Sequence, residues 1–313
     1  MTHYDVLVIG GGTGNNVAAA AADAGLETAL VEPGPLGGTC LNRGCNPSKM
    51  LIQAATAANH VREADRFFVD ATLDDIDYAA VIDDMDETLS PLAEGMEASY
   101  AEKDHLTLYK DTATFVDERT VAVDGERLSA DRVVVAAGSR PVVPPIDGLD
   151  SVEYMTSADA LYRRDQPDSL VILGGGYIAV ELGYFFESMG TDVTIVEMMD
   201  TLVPREDPDV AAAYTDIARD RHQVYTGHRV TAVEAADGGV RVHAETEGGD
   251  EIAVTSDDVL VALGRRPNTD TLDVGAAGLE TDDNGFIVTD ETLATSTDGV
   301  WAQGDIADNA MFK

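Results

Sequence analysis

Cysteine and lysine are scarce in this chain. Its 313 residues hold two cysteines, Cys40 and Cys45, and four lysines, Lys49, Lys103, Lys110 and Lys313, against 58 aspartates and glutamates. So few thiols exclude a disulfide-stapled secreted scaffold, and without a second cysteine pair they leave no four-ligand zinc site, so no metal is expected. Long apolar runs are also missing. No stretch reaches the roughly 18 residues that a membrane span needs, and the opening MTHYDVLVIGGGTG has neither the basic start nor the apolar core of a signal peptide. The sequence therefore reads as a cytoplasmic protein.

Positive charge is the other shortage. Twenty Lys plus Arg leave a net charge of −38 and a pI near 4.1. Such a surface repels nucleic acid and anionic membrane, which removes both as partners. The acid is spread along every segment rather than gathered in a tail. That distribution favours adaptation to molar salt, where charges are screened over about 3 Å, over an acidic face for a basic partner.

What the chain does contain is a repeated grammar. Tyr4 to Ile9 (YDVLVI) is apolar and rich in β-branched residues, GGGTGNN follows, and then the alanine-rich VAAAAADAG predicts a helix. TALVE restores a strand ending on Glu32. Ser169 to Glu197 repeats the order, with Gly174 and Gly176 corresponding to Gly10 and Gly12, and Glu197 to Glu32. Each is a βαβ opening that needs its own parallel sheet, and 44% hydrophobic residues suffice for two cores. A glycine turn at a helix N-terminus holds a diphosphate through backbone N–H groups, and an acid about 20 residues on holds ribose hydroxyls. In the first copy Asn15 stands where a third glycine is usual, implying a wider helix-to-strand approach or a side chain turned outward. The second copy is the G-x-G-x-x-A variant with Ala179, and EMMD after its strand has no adjacent arginine for a 2′-phosphate, which favours NADH over NADPH.

Between the copies, Ala79 to Lys103 predicts a pair of acidic helices interrupted at SPLAEG. Short strands follow over Leu106 to Val123, with a hairpin turn at Asp124 to Glu126. DRVVVAAGSRP and DDVLVALGRRPNTD each read as a buried strand ending in a glycine turn, and PVVPPIDG reads as a linker.

Both cysteines lie in one glycine-rich turn, GGTCLNRGCNPSKM. Asn46 as N-cap and Pro47 as first helical residue predict a helix starting just after Cys45, whose dipole would stabilise a thiolate there. A disulfide closing so short a loop would stabilise little, so a redox-active dithiol is the favoured reading over a structural bridge or two unrelated core thiols.

With two dinucleotide patterns flanking C-x4-C, the chain resembles the flavin-dependent pyridine nucleotide-disulfide oxidoreductases of class I. The likeness runs through nearly all of it, and GGTCLNRGCNPSK is its most specific part. The resemblance implies an α/β fold of two Rossmann-like domains: an FAD domain from 1–145 and 268–313, with an NAD(P) domain, 146–267, inserted in it. It implies FAD held around Gly10, Gly12, Gly14, Glu32, Gly38, Thr39, Ala137, Gly138, Gly304 and Asp305, the last bonding the ribitol. It also implies NADH around Gly174, Gly176, Tyr177, Ile178, Glu181, Glu197 and Gly264, with Tyr177 covering the flavin until nicotinamide displaces it. Cys45 would face the flavin, Cys40 would attack the substrate disulfide, and Lys49 would lie near the flavin and pair with Glu181. Electrons would pass from NADH through FAD to the Cys40–Cys45 disulfide.

The activity implied is of dihydrolipoamide dehydrogenase type, acting on a lipoyl-domain or small-molecule disulfide. Asn46 stands where the family usually carries an aliphatic residue and GTGNN is closer to the mycothione reductase pattern, so a reductase of a small thiol disulfide such as mycothione or bis-γ-glutamylcystine is the rival within the class, and a flavin redox sensor the rival from another. The family continues past its Gly-Asp motif into a dimer-forming domain with a catalytic His-Glu pair. This chain stops eight residues after Asp305, so it is expected to be truncated, with no residue assigned that acid-base role and the family's homodimer in doubt.

Overall fold

The computed structural model describes residues 1–307. In chain order the strands and helices are β1 (Thr2–Ile9), α1 (Gly14–Asp23), β2 (Thr28–Val31), α2 (Gly38–Arg43), α3 (Cys45–Arg62), α4 (Tyr78–Ala101), β3 (Leu106–Tyr109), β4 (Thr114–Asp117), β5 (Thr120–Val123), β6 (Glu126–Val135) and β7 (Ser139–Pro141). They continue with α5 (Ser157–Leu161), β8 (Ser169–Leu173), α6 (Tyr177–Met189), β9 (Asp192–Val196), α7 (Pro208–Arg219), β10 (Gln223–Tyr225), β11 (Arg229–Ala236), β12 (Gly239–Glu245), β13 (Glu251–Ser256), β14 (Asp258–Val261), β15 (Arg265–Pro267), α8 (Thr269–Leu272) and β16 (Val300–Ala302).

Two compact units divide the described residues, the first of 1–45, 88–140 and 265–307, the second of 46–87 and 141–264. They differ from the expected domains chiefly in 46–87, which groups with the second unit.

The first unit is built on a sheet of order β3-β2-β1-β6-β5-β4, in which β3, β2, β1 and β6 run parallel and β16 pairs alongside the end of β6. β1 is buried on both faces, as a central parallel strand must be. Tyr4, Leu7 and Ile9 join one core with Phe115, Leu128 and Ile306, while Val6 and Val8 join another with Ala18, Ala22 and Leu30. The expected hairpin joins β5 to β6 through Asp124 (φ 45°) and Gly125 (φ 76°), the Asp-Gly pair that suits a tight turn with both residues left-handed.

The second unit has a parallel sheet of order β10-β9-β8-β14 and an antiparallel sheet β11-β12-β13, which share a core of Val171, Leu173, Val233, Val242 and Val259. AAGSRP and GRRPNT, the two segments where the chain crosses from one unit to the other and back, meet as a ribbon of β7 and β15.

Three local expectations are corrected. α4 is one helix through Pro91 rather than a broken pair. The proline removes one backbone donor, and Ile82, Met85, Leu89 and Ala93, buried at helical spacing, hold the helix on either side of it. α3 begins at Cys45 itself, so Asn46 lies inside the first turn, where Pro47 loses no intrahelical bond because those N–H groups have no partner in the helix. The segment bearing Cys40 is a short helix, α2, rather than a turn.

Among the described residues no helix is long and apolar enough to cross a membrane.

Candidate active site

In the first unit the glycine turn after β1 is shaped by backbone contact. Gly10 has φ 109°, and a Cβ there would lie 2.2 Å from the carbonyl oxygen of Ala136, at the end of β6. Gly14 provides the close approach of α1 to the sheet, since a Cβ on it would lie 2.8 Å from Val8 Cγ1. This corrects the expectation for Asn15. The helix does not stand off, and Asn15 is 5% exposed rather than turned outward, its Nδ2 donating to Met96 Sδ at 3.0 Å.

Three other segments converge on this turn. A Cβ on Gly38 would lie 2.5 Å from Gly12 Cα, and one on Gly304 would lie 3.2 Å from Thr13 Oγ1. Asn268 donates its Nδ2 to the carbonyl of Ala137 at 2.8 Å and its N–H to that of Gly138 at 3.1 Å. Gly10, Gly12, Gly14, Gly38, Ala137, Gly138 and Gly304 are thereby gathered at the carboxyl ends of β1, β6 and β16, where open α/β sheets bind ligands. Glu32, just after β2, accepts the N–H of Gly11 at 2.6 Å and of Gly34 at 2.7 Å. Asp305 accepts from Ser139 Oγ at 2.9 Å. Thr39, on α2, is exposed.

The second unit repeats the arrangement. A Cβ on Gly174 (φ 103°) would lie 2.5 Å from the carbonyl oxygen of Ala262. Glu197 accepts the N–H of Gly175 at 2.5 Å and of Met199 at 2.7 Å. Gly176 caps α6, and a Cβ on it would meet no protein atom within 4 Å. Ile178 is half-buried one residue into that helix. Gly264 (φ 106°) closes β14 as Gly138 closes β6, and its carbonyl accepts from Val142 N–H at 2.9 Å. The Tyr177 hydroxyl donates to Glu206, a bond that raises the phenol's pKa.

Cys40 and Cys45 are both exposed, Cys45 at the first residue of α3. Lys49, one turn further along α3, pairs with Glu181 of α6, so these two predicted residues do meet. A polar ladder sets this register. Asn59 Nδ2 donates to Ser188 Oγ at 2.8 Å and Tyr184 Oη at 3.1 Å, and Arg62 donates to the Ser188 carbonyl at 2.7 Å. Positions 49, 59 and 62 of one helix thus face 181, 184 and 188 of the other. Glu206, Asn59 and Ser188 escaped the sequence reading because each is a polar residue of unremarkable context, whose partner lies 29 positions or more away.

The sequence profile of the pyridine nucleotide-disulphide oxidoreductases matches residues 4–312. The chain belongs to that family. Among its relatives, a mercuric reductase of Staphylococcus aureus is 32% identical over 99% of this chain and 57% of its own length. Dihydrolipoyl dehydrogenase 2 of Haloarcula marismortui is 38% identical over 99% of this chain and 67% of its own. The solved structure of the HOCl-induced flavoprotein disulfide reductase RclA from Escherichia coli superposes with a TM-score of 0.87 at 30% identity, covering 99% of this chain and 67% of that one. The chain therefore spans between about half and two thirds of the length of family members it matches.

The glycine cradle of the first unit fits the flavin nucleotide of this family. Its backbone leaves no room for side chains at Gly10 and Gly38, and Gln303, next to Gly304, has a buried Nε2 without a hydrogen-bond partner. That is a donor waiting for an acceptor the protein does not supply.

Proposed function

We propose that this chain is the dinucleotide-binding part of an NADH-dependent flavoprotein disulfide reductase of dihydrolipoyl dehydrogenase type. The observation that carries the reading is the pair of exposed thiols beside the N-terminus of α3, one turn from the Lys49–Glu181 pair, in a chain with two glycine turns backed by Glu32 and Glu197.

Gly10, Gly12, Gly14, Glu32, Gly38, Thr39, Ala137, Gly138, Gly304 and Asp305 would hold FAD, which when bound supplies the two-electron link between NADH and the dithiol. Gly174, Gly176, Tyr177, Ile178, Glu197 and Gly264 would hold NADH. A carboxylate at Glu197, fixed by two backbone N–H groups, accepts ribose hydroxyls and repels a 2′-phosphate.

In the reductive direction Cys40 thiolate attacks one sulfur of the substrate disulfide and displaces the first thiol, leaving a mixed disulfide. Cys45 thiolate then attacks the Cys40 sulfur, releasing the second thiol and closing the Cys40–Cys45 disulfide. The substrate gains two electrons and two protons, and the dithiol loses them. Lys49 and the N-terminal dipole of α3 favour the thiolate of Cys45, and Glu181 holds Lys49 in place.

Identities of 36–38% to dihydrolipoyl dehydrogenases of Haloarcula marismortui, Haloferax volcanii and Haemophilus influenzae support the lipoyl substrate. The haloarchaeal names among them, with the net charge of −38, support a salt-rich cytoplasm as its setting.

The test is an anaerobic titration of the purified chain in molar KCl with NADH and then NADPH, following flavin absorbance and alkylation of Cys40 and Cys45. Bound flavin, thiols exposed by NADH and loss of that response in Cys45→Ser are the expected results. A chain that takes up no flavin would defeat the reading, and equal response to NADPH would defeat the nucleotide preference. Oxidation of dihydrolipoamide by NAD+ set against reduction of a small disulfide then tests the substrate class.

A further inference from the structure

Arg265 is a buried cation that the reaction above does not use. Its side chain is 9% exposed, and burial lowers its pKa against the favourable influence of Asp305. Neighbouring Arg140 and Arg266 are spent on Asp270, each at 2.6 Å. Arg265 instead donates Nε to Ser139 Oγ at 2.8 Å and a terminal nitrogen to the Ser139 carbonyl at 2.6 Å. Ser139, 6% exposed, donates the same hydroxyl to Asp305 Oδ2 at 2.9 Å, and Arg265 Nε lies 3.9 Å from that oxygen.

The chemistry of the three groups leaves one arrangement. A guanidinium only donates, so the Ser139 oxygen must accept from it, and the single hydroxyl proton is then directed at the carboxylate. A carboxylate held by a charge-assisted bond beside a buried cation keeps its orientation. It retains lone pairs for a further donor such as a ligand hydroxyl. Gly304, the residue before Asp305, lies against Thr13 of the glycine turn, so this carboxylate stands at the cradle. Ser139 and Arg265 belong to β7 and β15, the ribbon made by the two crossing segments.

We infer that Arg265 and Ser139 are positioning residues for the flavin site: together they orient Asp305 toward the hydroxyl-bearing chain of the bound nucleotide, so that the crossing ribbon and the flavin carboxylate form one unit. This rests on the flavin reading given above.

The experiment is FAD titration of the flavin-stripped 313-residue chain in molar KCl, read by quenching of flavin fluorescence, with far-UV circular dichroism as the folding check. Ser139→Ala is expected to raise the FAD Kd about tenfold, and Arg265→Lys, which lacks the planar fork, by a similar factor. In an Asp305→Ala background, Ser139→Ala should add less than twofold, because the group it positions is gone. Ser139→Ala binding FAD like wild type, or costing the same tenfold without Asp305, would overturn the relay while leaving the flavin reading intact. Wild-type chain that takes no FAD would overturn the flavin reading and this inference with it. Should Arg265→Lys fail to fold, the Ser139→Ala cycle decides alone.

Discussion

Glu197 accepts the backbone N–H of Gly175 at 2.5 Å, and Glu32 accepts that of Gly11 at 2.6 Å, so each glycine turn is tied by its own carboxylate to the strand that follows it. The acid at the strand end therefore has a role in the protein before any ligand arrives. It braces the glycine turn at the start of the helix.

The glycines of the second turn should separate folding from binding. Gly174→Ala puts a Cβ 2.5 Å from the Ala262 carbonyl at φ 103°, and backbone strain of this kind predicts a loss of about 2–4 kcal/mol. Gly176 has φ −78° and open space around it, so Gly176→Val should keep the melting temperature within about 2 °C and weaken NADH at least tenfold. Thermal melts and NADH titration of the two variants make the comparison, and equal NADH affinity in Gly176→Val would show that the nucleotide lies elsewhere.

Lys49→Met should alter chemistry more than stability. The Lys49 side chain is 59% exposed and that of Glu181 32%, and exposed ion pairs contribute under about 1 kcal/mol. Removing the cation one turn from Cys45 is expected to slow its alkylation by iodoacetamide several-fold at neutral pH while the denaturation midpoint barely moves. Unchanged alkylation would separate Lys49 from the thiol site.

Asn59 presents the opposite case. It is 8% exposed and bonded to Ser188, itself fully buried. Asn59→Ala leaves that hydroxyl short of a donor and opens space between α3 and α6, a loss of about 2–3 kcal/mol, readable as a lower urea midpoint. A shift within about 0.5 kcal/mol would mean that the ladder carries little of the register.

His222 should produce acid sensitivity. It is 8% exposed, its Nδ1 is buried without a partner, and burial holds its pKa below the ordinary value. Between the unfolded value, about 6.5, and the lower folded one, the unfolded chain binds more protons than the native. Stability is thus complete above about pH 6.5 and falls as pH drops through that window, by up to about 1.4 kcal/mol per pH unit. Denaturation midpoints at pH 7.5 and 5.5 should differ in wild type and converge in His222→Gln, and an undiminished difference would assign the acid sensitivity to other groups.

Local features and long-range packing were legible to different depths. Turns such as Gly10 and Gly174 could be placed from the sequence because a strand, a positive φ and a helix start are set by residues within a few positions of one another. The same local reading failed at Pro91, where burial of Leu89 and Ala93 outweighs one missing hydrogen bond, and at Asn15, whose place is decided by Met96 on a helix far along the chain.

By itself, then, the amino-acid order determined the two βαβ openings, the acid that ends each strand, the hairpin at Asp124 and the placing of Cys45 at a helix start, because those depend on backbone conformations dictated by neighbouring residues. Only the tertiary structure decided that Lys49 meets Glu181, that Asn59 meets Ser188 and that Ser139 stands between Arg265 and Asp305. Those pairings depend on the register between segments more than 120 positions apart. That register is set by which buried faces pack together, and no local pattern encodes it.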